Sequence, residues 1–104
     1  MLSPKTIDIT TSNVIFEDAD PVGLLPELSA KSYLEALRER VAEAYPKARV
    51  FLKWVPTRRT PADVLTLPRV ESAENRLREL AEEVREARTT WIRHDENVRA
   101  AFGT

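Results

Sequence analysis

Apolar and polar positions alternate over Thr6-Ile7-Asp8-Ile9-Thr10-Thr11, so Ile7 and Ile9 share one face, and the β-branched composition predicts a half-buried strand. Val14-Ile15-Phe16 continues that strand or forms a second short one. Periodicity is lost from Glu17 to Pro26, where an acidic run, two prolines and Gly23 predict a loop, with Val22, Leu24 and Leu25 tucked under the fold. Helical spacing then begins, with Leu34, Leu37, Val41 and Ala44 in register and charged residues mostly on other faces. Ser32 and Glu35 have the spacing of a capping box, which predicts the start of this helix. Pro46 ends it, because the residue before a proline is pushed out of the helical region. Arg49 to Val55 follows, with Val50, Leu52 and Trp54 on one face and Phe51, Lys53 and Val55 on the other. Apolar character on both faces predicts a central strand. Pro56 to Pro61 is a basic connection, and Val64 to Leu67 is a short strand that Pro68 places at an edge or ends.

The last segment is the most periodic. Val70, Ala73, Leu77, Leu80, Val84, Ala87 and Trp91 follow alternating spacings of three and four, and the register continues through His94, Val98 and Ala101. Ser72 reads as the N-cap, Glu71 and Glu74 suit the positive end of the dipole, and Gly103 reads as the stop. Glu74 with Arg78, and Arg78 with Glu82, are spaced to pair on the surface. Unbroken from Ser72 to Phe102, such a helix is about 46 Å long, whereas a domain of this size has a radius of gyration of about 13 Å. A small sheet cannot cover it end to end. Either the helix breaks, near Thr89-Thr90 or from Arg93 to Asn97, or its C-terminal part packs on another chain.

Composition narrows the functional classes. A chain of 104 residues is expected to be one domain, 1–104, with 93–104 as a projecting or partner-packing tail. Its 16 Lys+Arg nearly cancel 17 Asp+Glu, for a net charge of -1, which argues against a dedicated nucleic-acid binder. The absence of cysteine removes disulfides, zinc-thiolate sites and cysteine nucleophiles. One His and two Gly leave no room for a multi-histidine metal site or a glycine-rich phosphate loop, so no cofactor is expected. Met1 to Lys5 lacks the apolar core of a signal peptide, and no window approaches the roughly 18 apolar residues of a membrane span. A cytoplasmic protein that does not enter a membrane is the expectation.

Four groups of residues carry candidate chemistry. Glu17-Asp18-Ala19-Asp20 offers oxygen ligands for a hard cation but lacks the spacing and glycine turn of a calcium loop, so a solvated loop is the expectation. His94-Asp95-Glu96 sets the one imidazole beside two carboxylates, as a general base would need. Adjacent helix positions point apart, however, so the seam register makes His94 a polar residue in a packed stripe. Arg49, Lys53, Arg58, Arg59 and Arg69 around Trp54 make a candidate phosphate- or base-stacking patch, unless Trp54 is core and the cations are dispersed. The stripe from Val70 to Ala101 is either a coiled-coil seam or a core helix against the sheet.

The stretch Arg40-Val41-Ala42-Glu43-Ala44-Tyr45-Pro46, with the strand Val50–Val55 after it, resembles the first helix end and second strand of the DinI-like family. The run from Arg76 to Ile92, closing on Trp91 and Ile92, is similar to that family's last helix, and the likeness covers roughly residues 33–92. The resemblance implies a small regulator that binds RecA filaments through an acidic C-terminal helix, by way of Glu79, Glu82 and Glu86. This sequence departs from the pattern by interleaving Arg76, Arg78, Arg85 and Arg88 with those glutamates.

The fold expected is α+β: a two-layer sandwich of a three- or four-stranded sheet with two main helices on one face and a long or broken C-terminal helix. Val50, Leu52, Trp54, Ile7 and Ile9 should meet Leu37, Val41, Leu77, Leu80 and Val84. The function expected is a non-catalytic interaction or regulatory protein, with another protein as partner or as a homodimer. Self-association is expected through Trp91, His94, Val98, Ala101 and Phe102, and to weaken as His94 becomes charged. The rival class is an enzyme or small-ligand binder with a pocket made from Trp54, Tyr33, His94 and an acid.

Overall fold

Ile7 and Ile9 are fully buried, because the strand that carries them, β1 (Thr6–Thr11), lies in the middle of the sheet. The computed structural model describes residues 3–102, with the side chain of Phe102 left out; Gly103 lies outside the described residues. β1 pairs in parallel with β2 (Arg49–Trp54), Ile7 opposite Val50 and Ile9 opposite Leu52. On its other side it pairs antiparallel with β3 (Asp63–Leu67), Ile9 opposite Val64 and Ile7 opposite Thr66. The α+β architecture is as expected, but the central strand is β1 and not β2. Apolar residues on both faces of β2 reflect an exposed face, not double burial: Val50, Leu52 and Trp54 turn toward the helices and are half-buried, while Phe51 is exposed.

Helix α1 (Pro26–Ala44) crosses from β1 to β2 and buries Ala30, Tyr33, Leu37 and Val41. It starts six residues before the predicted capping box. Pro26 occupies the first turn, where its missing N–H costs nothing, and Ser32 lies inside the helix. Val14–Phe16 is not strand: Ser12 caps a single 3-10 turn (Asn13–Phe16) through its hydroxyl, which accepts from the Val14 N–H at 3.2 Å. Helix α2 (Glu71–Glu86) buries Ala73, Leu77, Leu80, Ala81 and Val84, so the predicted stripe holds over this span.

The long helix breaks twice, at Ala87, two residues before Thr89, and again over residues 92–95, at the start of the Arg93 to Asn97 stretch expected to break. At Ala87 the backbone leaves helical geometry, with ψ at 54°, and its N–H bonds to Glu83 and Val84 carbonyls. One turn, α3 (Arg88–Trp91), reverses the chain, and a last short helix, α4 (Glu96–Phe102), follows. Residues 23–25 and 93–95 are laced together between these helices. The Leu25 N–H donates to the Arg93 carbonyl at 3.0 Å, and the Asp95 N–H donates to the Gly23 carbonyl at 2.7 Å. Gly23 has φ of +72°, and a Cβ there would stand 2.9 Å from the Asp95 carbonyl oxygen, so glycine is required on both counts.

Glu74 departs most from its predicted surface role. It is 3% exposed, and its carboxylate accepts from the Thr66 N–H (3.1 Å), the Thr66 hydroxyl (3.0 Å) and Arg69 Nε (2.7 Å). Arg78 bonds instead to Asn75 at 3.0 Å, and Glu82 to Arg85 at 2.8 Å. The Arg69 guanidinium, then the Thr66 donors, outweigh burial and lower the Glu74 carboxyl from 4.5 to about 2. A carboxyl lowered by folding stabilises fully above its ordinary value of 4.5, and that stabilisation disappears as pH falls toward about 2. Glu74→Gln should therefore lower the urea midpoint at pH 7, and the gap from the native protein should close between pH 4.5 and about 2. A gap independent of pH would mean that the charge of Glu74 contributes nothing.

Candidate functional site

The helices cover one face of the sheet and leave the other open. On the open face, Arg49, Phe51 and Lys53 of β2 stand opposite Thr6, Asp8 and Thr10 of β1. Leu67, Leu65 and Asp63 of β3 stand opposite the same three residues. Phe51 is 51% exposed, Leu65 42% and Leu67 52%. Phe51 and Leu65 flank Asp8 from either side, two strand spacings or about 10 Å apart. The Arg49 guanidinium lies 5.9 Å from the centre of the Phe51 ring, a cation–π distance. At one corner Arg58 pairs with Asp63 at 3.1 Å. Exposed apolar side chains gathered on one face are a feature of binding surfaces, whereas singly scattered ones are ordinary.

The candidate residues of the sequence do not converge. Trp54 faces the helical side, and its indole N–H donates to Asn13 Oδ1 at 3.1 Å. Arg58 is tied to Asp63 and Arg59 is exposed, so the phosphate patch expected around Trp54 does not assemble. The exposed aromatic of this strand is Phe51, one residue from Leu52 in the alternation. Nor does a pocket combine Trp54, Tyr33 and His94. The Tyr33 hydroxyl is buried and donates to the Ala81 carbonyl at 3.0 Å, and burial pushes its titration well above the usual tyrosine range.

His94 lines an open cleft of about 440 Å³ between the acidic loop and the C-terminal segment. Its Nε2 lies 3.0 Å from the Asp20 carbonyl, and Asp95 turns away to cap α4, accepting from the Asn97 N–H at 3.0 Å. Charge in the cleft is largely satisfied internally. Arg88 reaches Asp18 at 3.3 Å and Arg99 reaches Asp20 at 3.7 Å. Among the described residues no group of three or more His, Cys, Asp or Glu could hold a metal ion, and no helix is long and apolar enough to cross a membrane.

The interface expected along the C-terminal stripe is corrected at its centre. Trp91 is fully buried, edge-on to Tyr33 with centroids 5.1 Å apart and tilted against Phe16 at 5.8 Å. Its indole N–H donates to the Val84 carbonyl at 2.8 Å. The break at Ala87 turns this side chain back into its own core, so it is not available to a partner. Val98 is 38% exposed and Ala101 is exposed, while the Phe102 side chain lies outside the described residues. On α2 three glutamates are paired, Glu79 with Arg76 at 3.2 Å, Glu82 with Arg85 at 2.8 Å and Glu83 with Arg40 at 2.7 Å, while Glu86 is exposed and forms no ion pair among the described residues. The acidic face implied by the DinI-like resemblance is thus interrupted by its own arginines.

Trp91→Ala should destabilise the protein by about 3–5 kcal/mol, the cost of emptying a large core site. The loss should be the same at every protein concentration in urea unfolding. Val98→Ala should stay within about 0.5 kcal/mol of the native protein. A loss for Trp91→Ala that grows on concentration would restore Trp91 to an interface. Comparisons with protein-family models, with curated proteins and with solved structures find no match to this chain.

Proposed function

We propose that this chain is a non-catalytic interaction protein that docks a partner protein on the uncovered face of its sheet. The observation that carries this reading is the exposure of Phe51, Leu65 and Leu67 together on the face opposite the helices. Each leaves about half its apolar surface in water, a cost of about 25 cal/mol per Å² that a partner would recover by covering it. Asp8, opposite both Phe51 and Leu65, adds a carboxylate to this apolar surface. The chemistry around His94 supports binding more than catalysis, since its ring nitrogen already meets a backbone carbonyl and Asp95 serves a helix cap.

Self-association through the C-terminal segment has less support. With Trp91 inside the core and His94 held to the loop, Val98 and Ala101 on a seven-residue helix are what that surface offers. A RecA-filament partner rests on the resemblance of the sequence alone.

The test compares affinity capture by the native protein with capture by Phe51→Ser/Leu65→Ser, chosen for unchanged circular dichroism, followed by titration of the captured protein after purification. The double variant should bind at least tenfold more weakly, which corresponds to about 1.4 kcal/mol, and Val98→Ser should bind as the native protein does. Binding that survives the sheet variant and fails in Val98→Ser would move the interaction to α4. Sedimentation of the native protein alone tests a second copy as the partner.

A further inference from the structure

The two edges of the sheet are finished differently. At β3 the outward Thr66 N–H ends on the Glu74 carboxylate, and α2 lies against the strand. At β2 nothing comparable is present among the described residues. The Arg49 N–H donates to the Lys5 carbonyl at 2.9 Å and the Val55 N–H to the Thr11 carbonyl at 2.8 Å, both toward β1. Backbone alternation then turns the N–H and C=O groups of Val50, Leu52 and Trp54 the other way. No strand lies beyond them among the described residues. One side chain reaches this row, Arg38 of α1, whose Nη1 donates to the Val50 carbonyl at 3.3 Å. An open groove of about 390 Å³ lies at the strand, lined by Asp8, Arg38, Val50, Phe51, Leu52 and Lys53, so two cations outnumber its one acid.

Four cations stand along or beside this edge. Arg38, Lys47, Arg49 and Lys53 form no ion pair among the described residues, whereas Arg40, two residues along α1, is paired with Glu83. Such a row keeps a second copy away, because pairing β2 with β2 would bring the same cations together. It attracts the opposite charge. We infer that the free edge of β2 accepts an extended acidic segment of a partner protein by strand addition, an inference that rests on the proposed docking role and narrows it.

The required pattern follows from the pleat. An added strand sets alternate residues beside Arg49, Phe51 and Lys53 on the open face. Carboxylates beside Arg49 and Lys53, and an apolar side chain beside Phe51, give the sequence acid–x–apolar–x–acid. Nucleic acid fits the edge less well. Free backbone N–H and C=O groups alternate there as a peptide requires, and one exposed aromatic makes a poor stacking platform.

The experiment follows fluorescence anisotropy of a labelled peptide with the core Glu-Thr-Val-Thr-Glu, titrated with the full chain. Saturable binding is expected, at least tenfold weaker when both glutamates become lysines. N-methylation of one alternate set of peptide amides should abolish binding, and methylation of the other set should leave it within threefold. Arg49→Glu/Lys53→Glu should reverse the preference toward the lysine peptide; the peptide-side comparisons hold whether or not that variant folds. Absence of saturable binding, equal effects of the two methylation patterns, or oligodeoxythymidylate bound in preference to the peptide would each overturn the inference. If the peptide fails while partner capture still depends on Phe51 and Leu65, the acidic strand falls and the docking face stands. If both fail, the docking role falls with it.

Discussion

The Glu74 carboxylate joins three parts of the molecule that share no other polar contact of this density. It takes the outward N–H and the hydroxyl of Thr66 on β3, it sits in the first turn of α2, and it holds Arg69 of the connection between them. The Thr66 hydroxyl in turn accepts from the Val70 N–H at 3.0 Å, so the residue before α2 is fixed as well. α2 has no side-chain cap of its own, and this network takes that place. A buried carboxylate is tolerated only when its oxygens are occupied, and here each has a donor. The angle at which α2 crosses the sheet, and hence the meeting of Leu77, Leu80 and Val84 with Ile7 and Ile9, depends on that junction.

A second constraint comes from the size of the sheet. Three short strands cannot support a helix of the length that the apolar period suggests, and the chain resolves the conflict by bending. The turn at Ala87 converts the next seam residue, Trp91, from a lengthwise extension into a plug at the end of the core, between Tyr33 and Phe16. The segment beyond is then anchored sideways. Ser29 of α1 is buried where it accepts from the Arg93 N–H at 2.8 Å, and Gly23 permits the close approach of Asp95. The acidic loop becomes counter-charge for the C-terminal arginines.

Covering one face with α1 and α2 uses up the helices, and this is why the other face and one edge stay open. β3 is closed because α2 follows it immediately and brings Glu74 to its edge. β2 is followed by a proline-rich connection that crosses to the far side of the sheet, so no element remains to lie beside it. The exposed Phe51, the unpaired cations and the outward backbone groups of β2 have this common origin in topology.

The local elements were legible because each is determined by short-range period: the alternation of Ile7 and Ile9, the three-four spacing from Leu34 to Ala44 and from Ala73 to Val84, and the proline at the end of β3. Pairings across the chain were not. Whether β1 or β2 is central depends on which strand finds two neighbours, and a strand with apolar residues on both faces reads the same buried twice or exposed once. Glu74 and Arg78 looked like surface partners because helix spacing makes them neighbours, and only the approach of β3 and Arg69 gave Glu74 a better set of donors. Trp91 continued the seam by period, yet its destination was decided by a break that the core, already filled along α2, made favourable. The sequence by itself determined where helix and strand form and which side chains prefer to be dry. Tertiary structure decided which of those apolar positions were covered, because burial depends on what packs from elsewhere, and a strand's own pattern does not reveal whether another element will reach it.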